Sequence, residues 1–100
     1  MSQSYDVIII GAGHNGLVAA AYLAKAGRLV LVLERKNTIG GAAATAETFP
    51  GFHFNTGSHD AGMFREEIVK DLNLYDHGIE FITSKVAAFA PFQNGKSLTI

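Results

Sequence analysis

An α/β fold organised on one strand–helix–strand unit is what this 100-residue sequence predicts, on three observations. The first is an apolar run, Val7-Ile8-Ile9-Ile10, leading into Gly11-Ala12-Gly13-His14-Asn15-Gly16, a G-x-G-x-x-G set between a predicted strand and a predicted helix. The second is another apolar run, Leu29-Val30-Leu31-Val32-Leu33, whose continuous, partly β-branched character predicts a strand buried on both faces of a parallel sheet. The third is the acid that closes it, Glu34, with seventeen residues between Gly16 and Glu34. Dinucleotide-binding units place a ribose-binding acid about twenty residues beyond their glycines, so the pattern is that of a Rossmann-like βαβ unit.

Each glycine of the fingerprint has a physical task. Gly11 lets the chain leave the strand through a tight turn, and Gly13 lacks the side chain that would hold a pyrophosphate away from the backbone amides. Gly16 allows the helix to lie close on the strand. His14 and Asn15 fill the variable positions and count among the cofactor-binding candidates. The helix itself, Leu17 to Ala26, carries Leu17, Val18, Ala21, Leu23 and Ala24 among small residues and is predicted to end at a Gly27 C-cap. Its N-terminus offers free N–H groups and the positive end of the helix dipole to an anion. At the far end of the unit, the Glu34 carboxylate can accept hydrogen bonds from ribose hydroxyls but would repel a 2′-phosphate. FAD or NAD is therefore favoured over NADP.

Composition narrows the possibilities. With 48% hydrophobic and 17% charged residues the chain is globular in character, and a formal net charge of −1 gives no reason to expect a nucleic-acid partner or an anionic membrane surface. There is no cysteine, which excludes disulfides, thiolate metal sites and a redox C-x-x-C from these residues. Met1-Ser2-Gln3-Ser4 lacks the basic start of a secretory signal, so an unprocessed N-terminus is expected. Lys25, Gly27 and Arg28 interrupt the apolar stretch from Leu17 to Leu33, and no transmembrane segment is predicted. A cytoplasmic location follows as an expectation, any membrane contact being peripheral and made by sequence outside these residues.

Beyond the acid, Arg35-Lys36-Asn37-Thr38-Ile39 is a polar turn leading to Gly40-Gly41 and Ala42-Ala43-Ala44-Thr45. Next comes Gly51-Phe52-His53-Phe54-Asn55-Thr56-Gly57. Fingerprint, double glycine and this third piece together resemble the extended N-terminal signature of the two-dinucleotide-binding-domain flavoproteins. GAGHNGLVAAAYLAKAG, LERKNTIGGAAATAETFPGF and REEIVKDLNL are most similar to the phytoene-desaturase-like branch, which includes pyridine-nucleotide-disulfide-oxidoreductase-domain proteins.

The resemblance implies FAD as cofactor. It gives Gly11, Gly13 and Gly16 to the pyrophosphate, Glu34 and Arg35 to the adenosine end, and Gly40, Gly41 and Ala42 to the stretch from diphosphate to flavin. Many members carry Arg where this chain has Ala42, which lessens phosphate neutralisation here. The implied activity is hydride transfer to flavin from an apolar, carotenoid-like small-molecule substrate, with no residue of this chain assignable as catalytic. Two other readings stand beside it: a flavin-free binding protein resembling the chaperones of prenylated GTPases, and an NAD-binding dehydrogenase module. The intact glycine triplet with Glu34 argues against the first, and Gly40-Gly41 with the Gly51–Gly57 piece against the second.

Residues 1–60 are expected to form the segment that binds the ADP moiety, and 61–100 a helix and hairpin leading into a β-rich substrate region. Family members are several times longer, so the chain reads as an N-terminal part with an incomplete sheet. Such an exposed sheet edge would favour self-association. From Phe64 to Leu74, the spacing of Phe64, Ile68, Val69 and Leu72 predicts an amphipathic helix with a Glu66–Lys70 pair, and Arg65 is assigned no catalytic role. Gly78 to Ile82 is predicted as a short strand. Val86–Phe92 and Ser97–Ile100 are predicted as a hairpin around Gln93-Asn94-Gly95-Lys96. His53, His59 and Asp60 lack metal-ligand spacing and are expected as loop residues; Ser58-His59-Asp60 is triad-like in order only.

Overall fold

Two parallel strands joined through a helix open the structure, a computed structural model that describes residues 4–100. The expected unprocessed start at Met1-Ser2-Gln3 lies outside the described residues. Strand β1 (Val7–Ile10) and strand β2 (Val30–Leu33) run in parallel register from Val7 opposite Val30 to Ile10 opposite Leu33. Parallel neighbours need a crossover, and helix α1 (His14–Lys25) supplies it. Asp6 fixes the start of the pairing: its side chain accepts the Leu29 N–H at 2.8 Å, while its own N–H donates to the Leu29 carbonyl at 2.9 Å.

Helix α1 begins three residues earlier than the sequence predicts. Gly13 is its extended N-cap, so His14, Asn15 and Gly16 form the first turn, and the Leu17 N–H donates to the Gly13 carbonyl at 2.9 Å. The fingerprint is thus half turn and half helix. At the other end Gly27, at φ +80°, donates to Ala24 O at 2.9 Å and Arg28 donates to Leu23 O at 3.0 Å. That pair of bonds is a Schellman motif, with Ala26 as the cap and Gly27 in the left-handed position that follows it.

The expected two-sided burial of the strands does not occur. Val7 and Ile9 lie half-buried toward α1, whereas Ile8 and Ile10 on the opposite face are 58% and 89% exposed. Leu33 is also exposed. Among the described residues α1 is the element that packs on this sheet, and nothing covers the second face. The strand pattern is that of a buried sheet, but only one layer of the cover is present.

Residues 45–55, where the sequence predicts no strand and His53 is expected in a loop, form an antiparallel pair. Strands β3 (Thr45–Phe49) and β4 (Phe52–Asn55) turn around Pro50-Gly51, with a register irregularity between Glu47 and Phe49. The Glu47 carboxylate accepts the Gly51 N–H at 2.7 Å and closes the turn. His53 consequently sits on a strand, not in a loop.

The predicted helix over Phe64–Leu74 is shorter in the structure: α2 spans Glu66–Asp71, followed by a 3-10 turn at Leu74–His77. Asn73, at φ +51°, breaks the helix between them. Among the described residues Val69 on α2 and Ala12 are the two buried apolar ones. At the end of α2, Asp71 accepts from the Tyr22 hydroxyl at 2.7 Å through its side chain and from Lys25 through its carbonyl.

The predicted strand at Gly78–Ile82 is absent; a strand requires a hydrogen-bonded neighbour, and the described residues provide none there. Strands β5 (Phe89–Pro91) and β6 (Ser97–Thr99) form the predicted hairpin. The Gly95 N–H donates to the Phe92 carbonyl at 3.1 Å, and Phe92 N–H to the Lys96 carbonyl at 2.8 Å.

The three strand pairs are separate sheets. The chain measures 71 × 32 × 21 Å with a radius of gyration of 18.5 Å. A compact domain of this length would have a radius near about 13 Å.

Candidate dinucleotide site

The end of β1, the start of α1, the end of β2 and the double glycine converge on one place. Gly11 continues the parallel pairing by donating to Leu33 O at 2.6 Å, and then turns the chain so that Ala12 is buried. The Ala12 N–H donates to Glu34 Oε2 at 2.8 Å, and Glu34 Oε1 accepts the Lys36 N–H at 2.9 Å. These backbone bonds hold the Glu34 carboxyl below the usual carboxylate range, the Ala12 amide contributing most and the Lys36 amide next. Glu34 is therefore anionic at neutral pH and already engaged with the fingerprint turn.

Gly16 holds helix and strand together. A Cβ there would lie 2.4 Å from the Gly11 carbonyl oxygen, closer than side chains come, and would press on Ile9 Cγ2 at 3.3 Å. Gly41 meets the fingerprint in the same manner, since a Cβ on it would stand 3.0 Å from Gly13 Cα. Gly13 and Gly40 form a parallel bridge, reinforced by the Gly40 N–H donating to Ala12 O at 2.7 Å. The double glycine is thus laid backbone to backbone on the fingerprint.

Gly13 behaves differently. Its φ is −74°, and the nearest atom to a Cβ built on it is Gly41 Cα at 4.0 Å. Packing within the chain does not require a glycine at this position. The first turn of α1 carries no acidic side chain, and its N-cap makes no side-chain bond. Its leading N–H groups, which lack intrahelical acceptors, remain suited to an anion. The residues present therefore fit a dinucleotide: a carboxylate for ribose hydroxyls, a helix N-terminus for phosphates, and a bare glycine where phosphate would approach.

Beside this junction lies a cleft of about 630 Å³, lined by Gly11, Glu34, Arg35 and Gly41 and walled by the Thr45–Glu47 edge of β3. Gly13, Gly16 and Gly40 take part through the backbone contacts described above. His14 and Asn15 line a second cavity, of about 440 Å³, with Ser58, Asp60, Arg65 and Phe81. Ala42 belongs to the 3-10 turn Gly41–Ala43 and abuts Gly57, where a Cβ would stand 3.4 Å from Ala42 O.

Sequence reasoning missed Lys36, Thr38, Thr45, Glu47 and Thr56, which also line the larger cleft. Pro50-Gly51 was the signal available, since recognising its turn pairs β4 with β3 and returns Thr56 to the Thr45–Glu47 side of the cleft. Ser58 Oγ donates to the Asp60 carbonyl at 3.3 Å while His59 pairs with the Asp60 carboxylate at 2.8 Å, so the three residues do not form a nucleophilic relay. Among the described residues no three His, Asp or Glu side chains cluster to hold a metal, and no helix is long and apolar enough to cross a membrane.

Comparison with known proteins agrees with this geometry. Residues 9–72 match a family model described as NAD(P)-binding Rossmann-like domain. The chain is 45% identical over 91 residues to pyridine nucleotide-disulfide oxidoreductase domain-containing protein 2 of Rattus norvegicus, covering 91% of this chain and 16% of the relative. It is 45% identical over 98 residues to a limonene dehydrogenase subunit from Castellaniella defragrans, covering 95% of this chain and 17% of the relative. Human all-trans-retinol 13,14-reductase is 47% identical over 64 residues, covering 64% of this chain and 10% of that protein. A crystal structure of a Pyrococcus furiosus protein matches 91% of this chain and 23% of its own, with a TM-score of 0.68 and 26% identity. The chain spans about a sixth of the length of the first two relatives.

Proposed function

The chain belongs to the NAD(P)-binding Rossmann-like domain family, and from that membership we propose that it binds FAD by its ADP half and serves a flavin-dependent oxidoreductase. The family is one of oxidoreductases that use flavin or pyridine nucleotides, and this chain is its nucleotide-binding part. In the proposed arrangement Glu34 receives the adenosine ribose, with Arg35 beside it. Gly11, Gly13, His14, Asn15 and Gly16 receive the pyrophosphate, and Gly40, Gly41 and Ala42 guide the chain of the cofactor toward its flavin. Residues 1–60 form the ADP-binding segment and 61–100 lead toward the substrate region.

One observation carries the reading: Glu34 accepts the Ala12 N–H and Gly40 donates to the Ala12 carbonyl, so ribose acid, phosphate turn and double glycine form one backbone-linked unit beside the larger cleft. A plain NAD module needs the first two parts but not the third. The names of two relatives, a limonene dehydrogenase subunit and a retinol reductase, support an apolar small-molecule substrate. When bound, FAD supplies hydride acceptance, while this chain binds and orients it.

The test is a flavin absorbance spectrum of purified protein after addition of FAD and desalting, with NAD and NADP titrated in parallel. Retained flavin, weakened about tenfold by Glu34→Ala, is the expected result, tenfold being the loss of about one charge-assisted hydrogen bond. Retention of NAD with no flavin overturns the FAD reading in favour of a nicotinamide-binding module.

A further inference from the structure

The third sequence piece, Gly51–Gly57, contributes no side chain that the proposed cofactor role requires, yet its end is tied to the cleft by a chain of contacts. Asn55 Oδ1 accepts two backbone N–H groups, from Gly57 at 3.0 Å and from Ser58 at 2.6 Å. This bends the chain just past β4 and brings Gly57 beside Ala42, where a Cβ would stand in van der Waals contact with the Ala42 backbone and side chain. One residue earlier, Thr56 clamps the same segment twice: its N–H and its hydroxyl donate to Ala44 O at 3.0 and 2.9 Å. On the opposite side of that segment Gly41 lies against Gly13, and Gly40 donates to Ala12 O at 2.7 Å. Residues 40–44 are therefore held between the fingerprint on one side and the Asn55 turn on the other.

We propose that Asn55 is a positioning residue for the cofactor cradle, acting through Gly57 to press the 40–44 segment onto the fingerprint turn. The inference rests on the proposed dinucleotide reading for its functional meaning, but its structural content stands without a ligand. Both hydrogen bonds use Asn55 as an acceptor, and among the described residues none is donated by its Nδ2. Only an acceptor oxygen at this reach is required, which a carboxylate also supplies. Asn55→Asp should therefore preserve the arrangement, and Asn55→Ala should lose it.

The experiment is amide hydrogen exchange of the full 100-residue chain, comparing wild type, Asn55→Ala and Asn55→Asp, followed by FAD titration of wild type and Asn55→Ala. In Asn55→Ala the expected result is faster exchange at Gly57 and Ser58, spreading to Gly40, Ala43 and Ala44, by about tenfold or more at each. Asn55→Asp should return all five amides to within about twofold of wild type. A residue that only caps its own turn would change Gly57 and Ser58 alone, and that outcome overturns the inference. So does an aspartate variant that exchanges like the alanine variant. FAD affinity of Asn55→Ala should fall about tenfold, since a wall displaced by a fraction of an ångström misplaces phosphate contacts. Unchanged affinity beside a wild type that binds FAD overturns the functional part. A wild type that binds no FAD overturns the proposed function, and the exchange pattern then decides the structural part by itself.

Discussion

Two alanine substitutions three residues apart, Gly13→Ala and Gly16→Ala, should separate cofactor binding from folding. At Gly16 the new Cβ would sit 2.4 Å from the Gly11 carbonyl oxygen, about an ångström short of ordinary contact. The main obstacle is the Gly11 backbone, which cannot swing aside as a side chain can, so the N-terminal end of α1 must lift from β1. Overpacking against backbone by an ångström lies in the upper part of its usual range, about 2–3 kcal/mol, and the better helix propensity of alanine returns about 1 kcal/mol. The net cost of about 1–2 kcal/mol corresponds to a fall in melting temperature of roughly 5–10 °C for a chain of this size.

At Gly13 the balance is different. With φ at −74° and no protein atom closer than 4.0 Å, alanine fits without strain. Its slight disadvantage to glycine as an N-cap and its smaller unfolded-state entropy offset one another to within about 0.5 kcal/mol. The methyl group does stand where a phosphate would approach, so FAD affinity should drop at least about tenfold. Thermal unfolding by circular dichroism and FAD titration by fluorescence read the two quantities separately. A Gly13→Ala protein that binds FAD like wild type refutes the cradle, and a Gly16→Ala protein that melts like wild type refutes the helix–strand argument.

Four further outcomes are expected. Because the Ala12 and Lys36 amides lower the Glu34 pKa, the stability it contributes is complete above about 4.5 and declines as pH falls through the lower folded-state value. Following the Ala12 amide by NMR as the pH is lowered reads this loss, and Glu34→Gln should abolish the dependence. Tyr22 has the opposite sign: its hydrogen bond to Asp71 raises its pKa, so the bond stabilises fully below about pH 10 and is lost as pH rises through the higher folded value. Ultraviolet titration of the phenol should shift downward in Asp71→Asn. Val69→Ala, at a site only 2% exposed, should cost about 1–2 kcal/mol in chemical denaturation. Asp6→Ala, which removes the acceptor for the Leu29 N–H, should cost about 0.5–1 kcal/mol by the same measurement.

The βαβ unit was legible because its signals are local. Val7–Ile10, the fingerprint, Gly27 and Glu34 each encode their structure within a few residues, and the structure departs from expectation there in extending α1 back to His14 and in leaving one face of the two strands uncovered. The contact between Gly13 and Gly41 was foreshadowed only by the double glycine, since backbone packing across nearly thirty residues leaves no other trace in composition. The β3–β4 pair was missed because Thr45-Ala46-Glu47-Thr48-Phe49 lacks clear alternation and its pairing depends on Pro50-Gly51. Gly78–Ile82 failed for the converse reason. Its apolar residues suit a strand, but strand formation depends on a neighbour that composition does not reveal. The roles of Asn55 and of the clefts depend on distances, which residue spacing does not contain.

The separation of the strands into three unconnected pairs has a consequence for how the molecule opens. The β3–β4 and β5–β6 pairs each join strands adjacent in sequence, and a lone two-stranded ribbon is only marginally stable in water. The β5–β6 ribbon, exposed along its whole length, should open and close on its own with almost no cost to the rest. Limited proteolysis should therefore cut near Lys96 well before it reaches Lys25, whose side chain is tied to the end of α2. The cleft beside Glu34 would outlast the loss of that arm, because every residue that lines it comes before Gly57 in the chain.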